Sequence, residues 1–218
     1  FEILVEQLSF CKLPSQLILA TTVNQEDDAL AKLALSLGVA IYRGNEDNVY
    51  ERVVGAALSH DVDTIVEITA DCPLIDPNIV DNAISIYLDN EYDYVSNAVK
   101  RVYPDGMDVQ VFSTDLLRSS KEDILDTSWL EHVTLQFRSK LGRKKYSFFD
   151  MVSPAFGDRP DIEITLDELN DWMLIKQVYT NLKQNREPII CSDIVSYIDN
   201  NPSIKELYAN IQRASYEI

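Results

Sequence analysis

LILATTVNQEDDALAKLALSLGVAIY, residues 17–42, passes between the two periods of regular secondary structure within one short stretch. Its first part, LILATT (17–22), is a compact apolar run closed by polar Asn24 and Gln25, the form of a buried strand ending in a loop. Ala29, Leu30, Leu33, Ala34 and Leu37 then recur at helical spacing. Acidic Glu26, Asp27 and Asp28 precede them where a helix N-terminus favours negative charge, and Gly38 closes the helix. Residues 39–42 form a second short strand. Strand, helix and strand in that order predict an α/β fold, a parallel sheet covered by helices.

The alternation continues outward from this unit. A helix through Tyr50, Val53, Val54, Ala57 and Leu58 leads to the strand TIVEIT (64–69), which Pro73 stops soon after Asp71. Asp76 is a suitable N-cap, Pro77 suits a first helical position, and Ile79, Val80, Ala83, Ile84 and Tyr87 supply one apolar face. DYVSN (93–97) is a further strand. YPDG (103–106) signals a turn, and MDVQVF (107–112) alternates as a strand at a mixed or antiparallel edge would. Beyond it the pattern predicts a helix around 129–139, strands around 146–151 and 162–166, and a long helix over 168–182. The tail over 192–213 reads as two short helices separated by Asn200, Asn201 and Pro202. Residues 1–190 are expected to form the main domain and 191–218 a helical tail.

The chain has 218 residues, of which 46% are apolar, enough to bury a substantial core. Its net charge of −17 repels nucleic-acid phosphates and anionic lipid headgroups over most of the surface, so a nucleic-acid polymer is not an expected partner. A small phosphorylated substrate remains compatible, because a metal ion and a few local cations can outweigh the global field within one cleft. Cys11, Cys72 and Cys191 are widely spaced, odd in number and without a C-x-x-C pair. They indicate neither a disulfide framework nor a structural zinc site, and they suit a reducing cytoplasm. No apolar run approaches the length of a membrane span.

In open parallel sheets ligands bind outside the carboxyl ends of the strands, which gives priority to polar residues just past a strand end. Asp71 is one. A carboxylate fixed there could coordinate Mg²⁺, or it could simply form a turn or cap a helix. Asp167 stands in the same situation after the strand at 162–166, where an N-cap is its simpler reading. Together the two suggest a site that holds one divalent ion against a triphosphate. Arg43, Gly44, Asp47, Asn48 and Arg52 surround another strand end and helix start, which could read a base or phosphate or be an ordinary capped helix. His60 ends a helix. His132, in EHVT (131–134), could hydrogen-bond a hydroxylated or anionic ligand or be an edge histidine. No nucleophile turn accompanies the two histidines, and Cys72 lacks a nearby base in sequence, so a hydrolase triad has little support.

These segments occur in a recognisable order. LILATT followed by N-x-E-D-D, Arg43-Gly44, TADCPLIDP (69–77), DYVSN, YPDGMDVQVF (103–112), EHVT and ITLDE (164–168) together resemble the spore-coat polysaccharide cytidylyltransferases, relatives of the enzymes that activate sialic acid and Kdo as CMP-sugars. The resemblance extends to about residue 182. It implies a Rossmann-like nucleotidyltransferase fold, a three-layer sandwich with a mostly parallel sheet, acting in the cytoplasm on CTP with Mg²⁺ as a homodimer. It implies attack by an acceptor sugar oxygen on the α-phosphorus of CTP, with pyrophosphate leaving. By resemblance Asp71 and Asp167 match the metal-binding aspartates. Asp105, Gly106, Asp108, Glu131 and His132 match the segments facing the sugar, and Arg43, Gly44 and Asp47 those near the nucleotide.

Three departures qualify the match. Ala70 replaces a frequent Gly, and Glu168, Leu169, Asn170 and Asp171 replace E-P-E-D without its Pro. Nothing matches the family's first strand and its loop Q-A-R-x-G-S-x-R-L-P-G-K, which grips the triphosphate. The expectation is therefore a chain cut just upstream of Phe1 and catalytically crippled as written. Two rival readings are a glycosyltransferase using a nucleotide sugar and an inactive nucleotide-binding relative. The first needs an Asp-x-Asp at a strand end, whereas Asp61 and Asp63 precede their strand.

Overall fold

The computed structural model describes residues 1–152, 154–184 and 187–204. Helix α1 (Glu2–Leu8) opens the chain, and β1 (Ile18–Thr22), α2 (Asp28–Ser36) and β2 (Ala40–Gly44) build the anticipated unit, with the two strands parallel. Gly38 adopts a φ of +75°, a left-handed conformation that lets the chain reverse between α2 and β2. Helix α3 (Val49–Ser59) follows, capped by Asn48, whose Oδ1 accepts the Glu51 N–H at 2.9 Å.

The second half of the fold is a four-stranded sheet in the order β3-β5-β4-β6, made of β3 (Thr64–Glu67), β4 (Tyr94–Ser96), β5 (Gln110–Ser113) and β6 (Phe148–Asp150). Strands β3, β4 and β6 run one way, while β5 is antiparallel to both of its neighbours. The reversal of β5 was expected. Its placement at an edge was not borne out: Gln110, Val111 and Phe112 are all buried, because β5 lies inside the sheet with helices over both faces.

On one face Val66, Val95, Val111 and Phe149 pack with α4 (Pro77–Asp89) and with apolar residues of α1, α8 (Leu169–Lys183) and α9 (Cys191–Asn200). On the other, Ile65, Tyr94, Phe112 and Phe148 pack with Tyr50 of α3, Leu117 of α5 (Thr114–Ser119) and Phe137 of α6 (Leu135–Arg138), with α7 (Gly142–Lys145) beyond. This is the three-layer α/β arrangement that was expected. Ile194, Val195 and Ile198 of α9 enter the same core cluster as α4. Most of the second tail helix read from the sequence, over residues up to 213, lies outside the described residues.

Two expected elements differ. The helix around 129–139 is a short 3-10 turn, Thr127–Leu130, and then α6, with a turn at 131–134 between them. Thr134 is fully buried and its hydroxyl donates to Gln110 Oε1 at 2.6 Å, which ties the turn to the sheet instead of letting a helix run through. The strand at 162–166 is reduced to one parallel bridge between Glu163 and Asp105. The segment is extended, yet it lies beside a loop rather than a strand. Ile162 C=O accepts the Asp105 N–H and Ile164 N–H donates back to the Asp105 carbonyl, both at 2.9 Å.

Candidate active site

The carboxyl ends of β3, β4 and β6 and the entry to β5 share one edge of the four-stranded sheet, and the residues singled out as metal-binding and sugar-facing are distributed around it. Asp71 sits in the turn after β3, half-buried, followed by buried Cys72, Pro73, Leu74 and Ile75. Cys72 N–H donates to the Thr69 carbonyl and Ile75 N–H to the Cys72 carbonyl, both at 3.2 Å, so the turn is closed by its own backbone. The Cys72 thiol donates to Asp71 Oδ1 at 3.4 Å. Burial, with Asp71 beside it, pushes that thiol well above its ordinary pKa, which disfavours the nucleophilic thiolate.

Asp167 reaches the same edge through backbone pairing. The Leu166 N–H donates to the Asp71 carbonyl at 2.8 Å, which seats the residue before Asp167 against Asp71 itself. Asp167 is not the cap of α8. Glu168 is, in a capping box with Asp171, whose buried Oδ2 accepts the N–H groups of Asp167 at 2.9 Å and Glu168 at 2.8 Å. Thr165 Oγ1 donates to Asp167 Oδ2 at 3.2 Å. The Asp167 backbone is thus fixed from the helix side while its carboxylate stays exposed.

Among the described residues no group of three or more His, Cys, Asp or Glu side chains converges on a point. A cation at this edge would meet a donor set of two hard carboxylates, with its remaining ligands from water or phosphate. That donor set fits Mg²⁺, which takes few protein ligands and retains water and substrate oxygens; it does not fit a structural zinc site.

The loop entering β5 is shaped by buried Asn97. Its Nδ2 donates to the Met107 carbonyl at 2.7 Å and its Oδ1 accepts the Val109 N–H at 2.8 Å. Asp105 and Gly106 lie against residues 162–164. Gly106 has a φ of +101°, and a Cβ there would stand 3.0 Å from backbone atoms of Ile164, so only glycine meets both demands. Arg101 pairs with Asp105 at 2.8 Å and with Asp108 at 3.2 Å. Burial pushes the Asp108 carboxyl up, with Arg101 opposing. Glu131 and His132 lie in the turn before α6, exposed and half-buried respectively. The same turn carries Thr134 to Gln110.

Arg43, Gly44 and Asp47 lie at the end of β2, on the two-stranded sheet. The Arg43 guanidinium is committed to the loop after β1: Nε donates to the Thr22 carbonyl at 2.7 Å, and the terminal nitrogens reach Asp28 and the Asn24 carbonyl at 2.6 Å. Asp47 is exposed and its N–H donates to Asn45 Oδ1 at 2.8 Å.

Sequence reading passed over Glu67, Gln110 and Arg138. Gln110 accepts from the Tyr94 hydroxyl at 2.5 Å and from Thr134, and its Nε2 donates to Glu67 Oε2 at 2.9 Å. Burial pushes the Glu67 carboxyl up to about 7, with the Arg138 charge opposing. The available signal was Glu67 within the apolar stretch of TIVEIT, and Gln110 at one of the two polar positions of the alternating MDVQVF.

A family model described as cytidylyltransferase matches residues 1–186. The chain is 32% identical over 217 residues to an uncharacterized protein of Methanocaldococcus jannaschii, covering 99% of this chain and 86% of that one. It is 28% identical over 189 residues to the spore coat polysaccharide biosynthesis protein SpsF of Bacillus subtilis, covering 85% of this chain and 75% of that one. A solved cytidylyltransferase from Leptospira borgpetersenii superposes with a TM-score of 0.87 at 26% identity, over 98% of this chain and 87% of that one. A CMP:2-keto-3-deoxy-manno-octonic acid synthetase solved with CTP superposes at 0.57 and 12% identity, over 85% and 88%, a likeness of fold.

Proposed function

The chain belongs to the cytidylyltransferase family, and from that premise we propose that it transfers CMP from CTP to a sugar or sugar acid for a cell-surface polysaccharide, releasing pyrophosphate. The observation that carries this reading is the Leu166–Asp71 backbone bond, which holds the stretches bearing Asp71 and Asp167 at one sheet edge. In this reading Asp71 and Asp167 hold Mg²⁺, which when bound would neutralise charge on the triphosphate. The chain's own residues supply position. Asp105, Gly106 and Asp108, with Glu131 and His132, hold the acceptor so that one of its oxygens faces the α-phosphorus. Arg43, Gly44 and Asp47 form the nucleotide side, Arg43 by bracing the loop after β1 and Asp47 by its exposed carboxylate.

In the same reading the enzyme works in the cytoplasm as a homodimer. No helix among the described residues is long and apolar enough to cross a membrane, and sedimentation would test the dimer. The activity is tested by incubating the protein, with and without the family's strand and loop Q-A-R-x-G-S-x-R-L-P-G-K joined ahead of Phe1, with CTP, Mg²⁺ and a panel of sugar acids, sugar phosphates and neutral sugars while following pyrophosphate. Release that needs CTP and one acceptor, and that fails with Asp71→Asn, is the expected result. Release of a nucleoside diphosphate from a preformed nucleotide sugar would overturn it.

A further inference from the structure

Strand register places Glu67 opposite Gln110, Gln110 opposite Ser96, and Ser96 opposite Asp150. Residues directly opposite in a ladder share a face, so these four form one polar rung at the carboxyl edge, next to an apolar rung of Ile65, Phe112, Tyr94 and Phe148. Within the polar rung Gln110 is held at both ends of its amide. Its Nε2 donates to Glu67 Oε2 at 2.9 Å, and its Oε1 accepts from the Tyr94 hydroxyl at 2.5 Å and from the Thr134 hydroxyl at 2.6 Å, which uses both lone pairs of that oxygen. The strand thus presents a fixed acceptor to the turn above it.

Thr134 occupies the N-cap of α6, where a threonine hydroxyl ordinarily accepts a backbone N–H of the first turn and contributes about 1 kcal/mol to its helix. Its side chain makes no such bond. Fully buried, the hydroxyl is directed to Gln110, 24 residues away in sequence. The backbone of the same residue reaches the other way: its N–H donates to the His132 carbonyl, which also accepts the Leu135 N–H at 3.1 Å. One residue therefore bonds the sheet by its side chain and His132 by its main chain. Val133, between them, is buried in the cluster that contains Tyr94 and Phe137. Apolar contact has no direction, so it sets how deep the turn lies, whereas the hydrogen bond sets which way it faces.

We propose that Thr134 is a positioning residue: by directing its hydroxyl to Gln110 and not to its own helix, it orients the turn that presents Glu131 and His132 at the carboxyl edge. The inference rests on the acceptor role proposed above for those two residues. It goes beyond that reading by assigning their orientation to a hydroxyl that is itself buried away from any acceptor. A turn fixed in advance holds the acceptor without further ordering, and a small displacement of a group that aligns a reactant costs a large factor in rate.

The chain has two histidines, so its imidazole NMR signals come from His132 in the turn and from His60 at the end of α3. Thr134→Val removes the hydroxyl and keeps the branched shape. The His132 signal should shift or split while the His60 signal stays, and Thr134→Ser, which retains a hydroxyl, should return it. Tyr94→Phe is the control: it takes the other donor from Gln110 Oε1 and lowers stability, yet leaves the His132 signal at its wild-type position. In whichever form of the chain releases pyrophosphate, Thr134→Val lowers kcat/KM for the acceptor roughly tenfold or more, holds the CTP KM within about twofold, and Thr134→Ser recovers most of the loss. A His132 signal unchanged in Thr134→Val, one moved as far by Tyr94→Phe, or an acceptor kcat/KM within twofold of wild type overturns the proposal. Should Thr134→Val not fold, Gln110→Met removes the same bond from the strand side and is read by the same two signals. The spectra need no substrate, so histidine signals that behave as expected while no acceptor supports pyrophosphate release show that the transfer reading has failed alone.

Discussion

The Leu166 N–H donates to the Asp71 carbonyl at 2.8 Å, joining the turn that leaves β3 to the segment that leads into α8. Neither segment is a strand at that point, and the bond uses backbone atoms alone. Replacing either carboxylate by an amide leaves that backbone bond in place. Asp71→Asn and Asp167→Asn should each keep the wild-type melting transition while lowering pyrophosphate release on the order of a hundredfold. Loss of folding in either variant, or activity near wild type, would contradict this assignment.

Removing divalent ions gives a related check. Chelation should abolish release and added Mg²⁺ should restore it, and Asp167→Asn should need more Mg²⁺ than wild type for half-maximal rate. A rate indifferent to chelator would leave the two aspartates without the role proposed for them.

Gly106 and Gly157 both have positive φ, of +101° and +82°, but only Gly106 has backbone within reach of a Cβ. Gly157→Ala should cost about 1 to 2 kcal/mol, the backbone contribution alone. Gly106→Ala should cost more, by roughly 1 kcal/mol or above, because the new methyl meets the Ile164 backbone. Denaturant unfolding of the two variants side by side measures the difference.

Asp171 holds the Asp167 backbone through the capping box and is 2% exposed. Asp171→Ala should lower stability by about 1 to 2 kcal/mol and also reduce turnover, since the Asp167 N–H loses its acceptor. A loss of stability with turnover at the wild-type value would show that Asp167 is positioned by other means.

Glu67 has its carboxyl raised to about 7 by burial. The folded state then binds a proton that the unfolded state has already released between the ordinary glutamate pKa and 7, so this residue makes stability fall as pH rises through that window. Glu67→Gln removes the effect. Its melting temperature relative to wild type should be higher at pH 8 than at pH 5, and a difference that does not vary with pH would be inconsistent with a buried ionising Glu67.

Much of the fold was legible because local signals and tertiary packing agree. Gly38, Asp76 with Pro77, and the apolar spacing through α2, α3 and α4 each mark an element that the core then buries. The readings that failed depended on a distant partner. The alternation over 162–166 is that of a strand, but the neighbouring chain is a loop, and no local pattern reveals a neighbour. The run through 129–139 has helical spacing, yet Thr134 is pulled onto Gln110. The site divides in the same way. Asp71 and Asp167 stand out as acids past strand ends, whereas the rung from Glu67 to Asp150 exists only through strand register, which pairs residues far apart in sequence.

Because β5 runs against its neighbours, the loop that enters it begins and ends at the same sheet edge, and Asn97 clasps both of its ends by bonding Met107 and Val109. The residues between them are held a second time, where Asp105 exchanges backbone bonds with Ile162 and Ile164 and where Val102 and Tyr103 enter the core. Variation between relatives on an unchanged sheet is therefore expected at Lys100 and Arg101, the exposed positions of residues 98–106, and not at Gly106 or at buried Val102 and Tyr103.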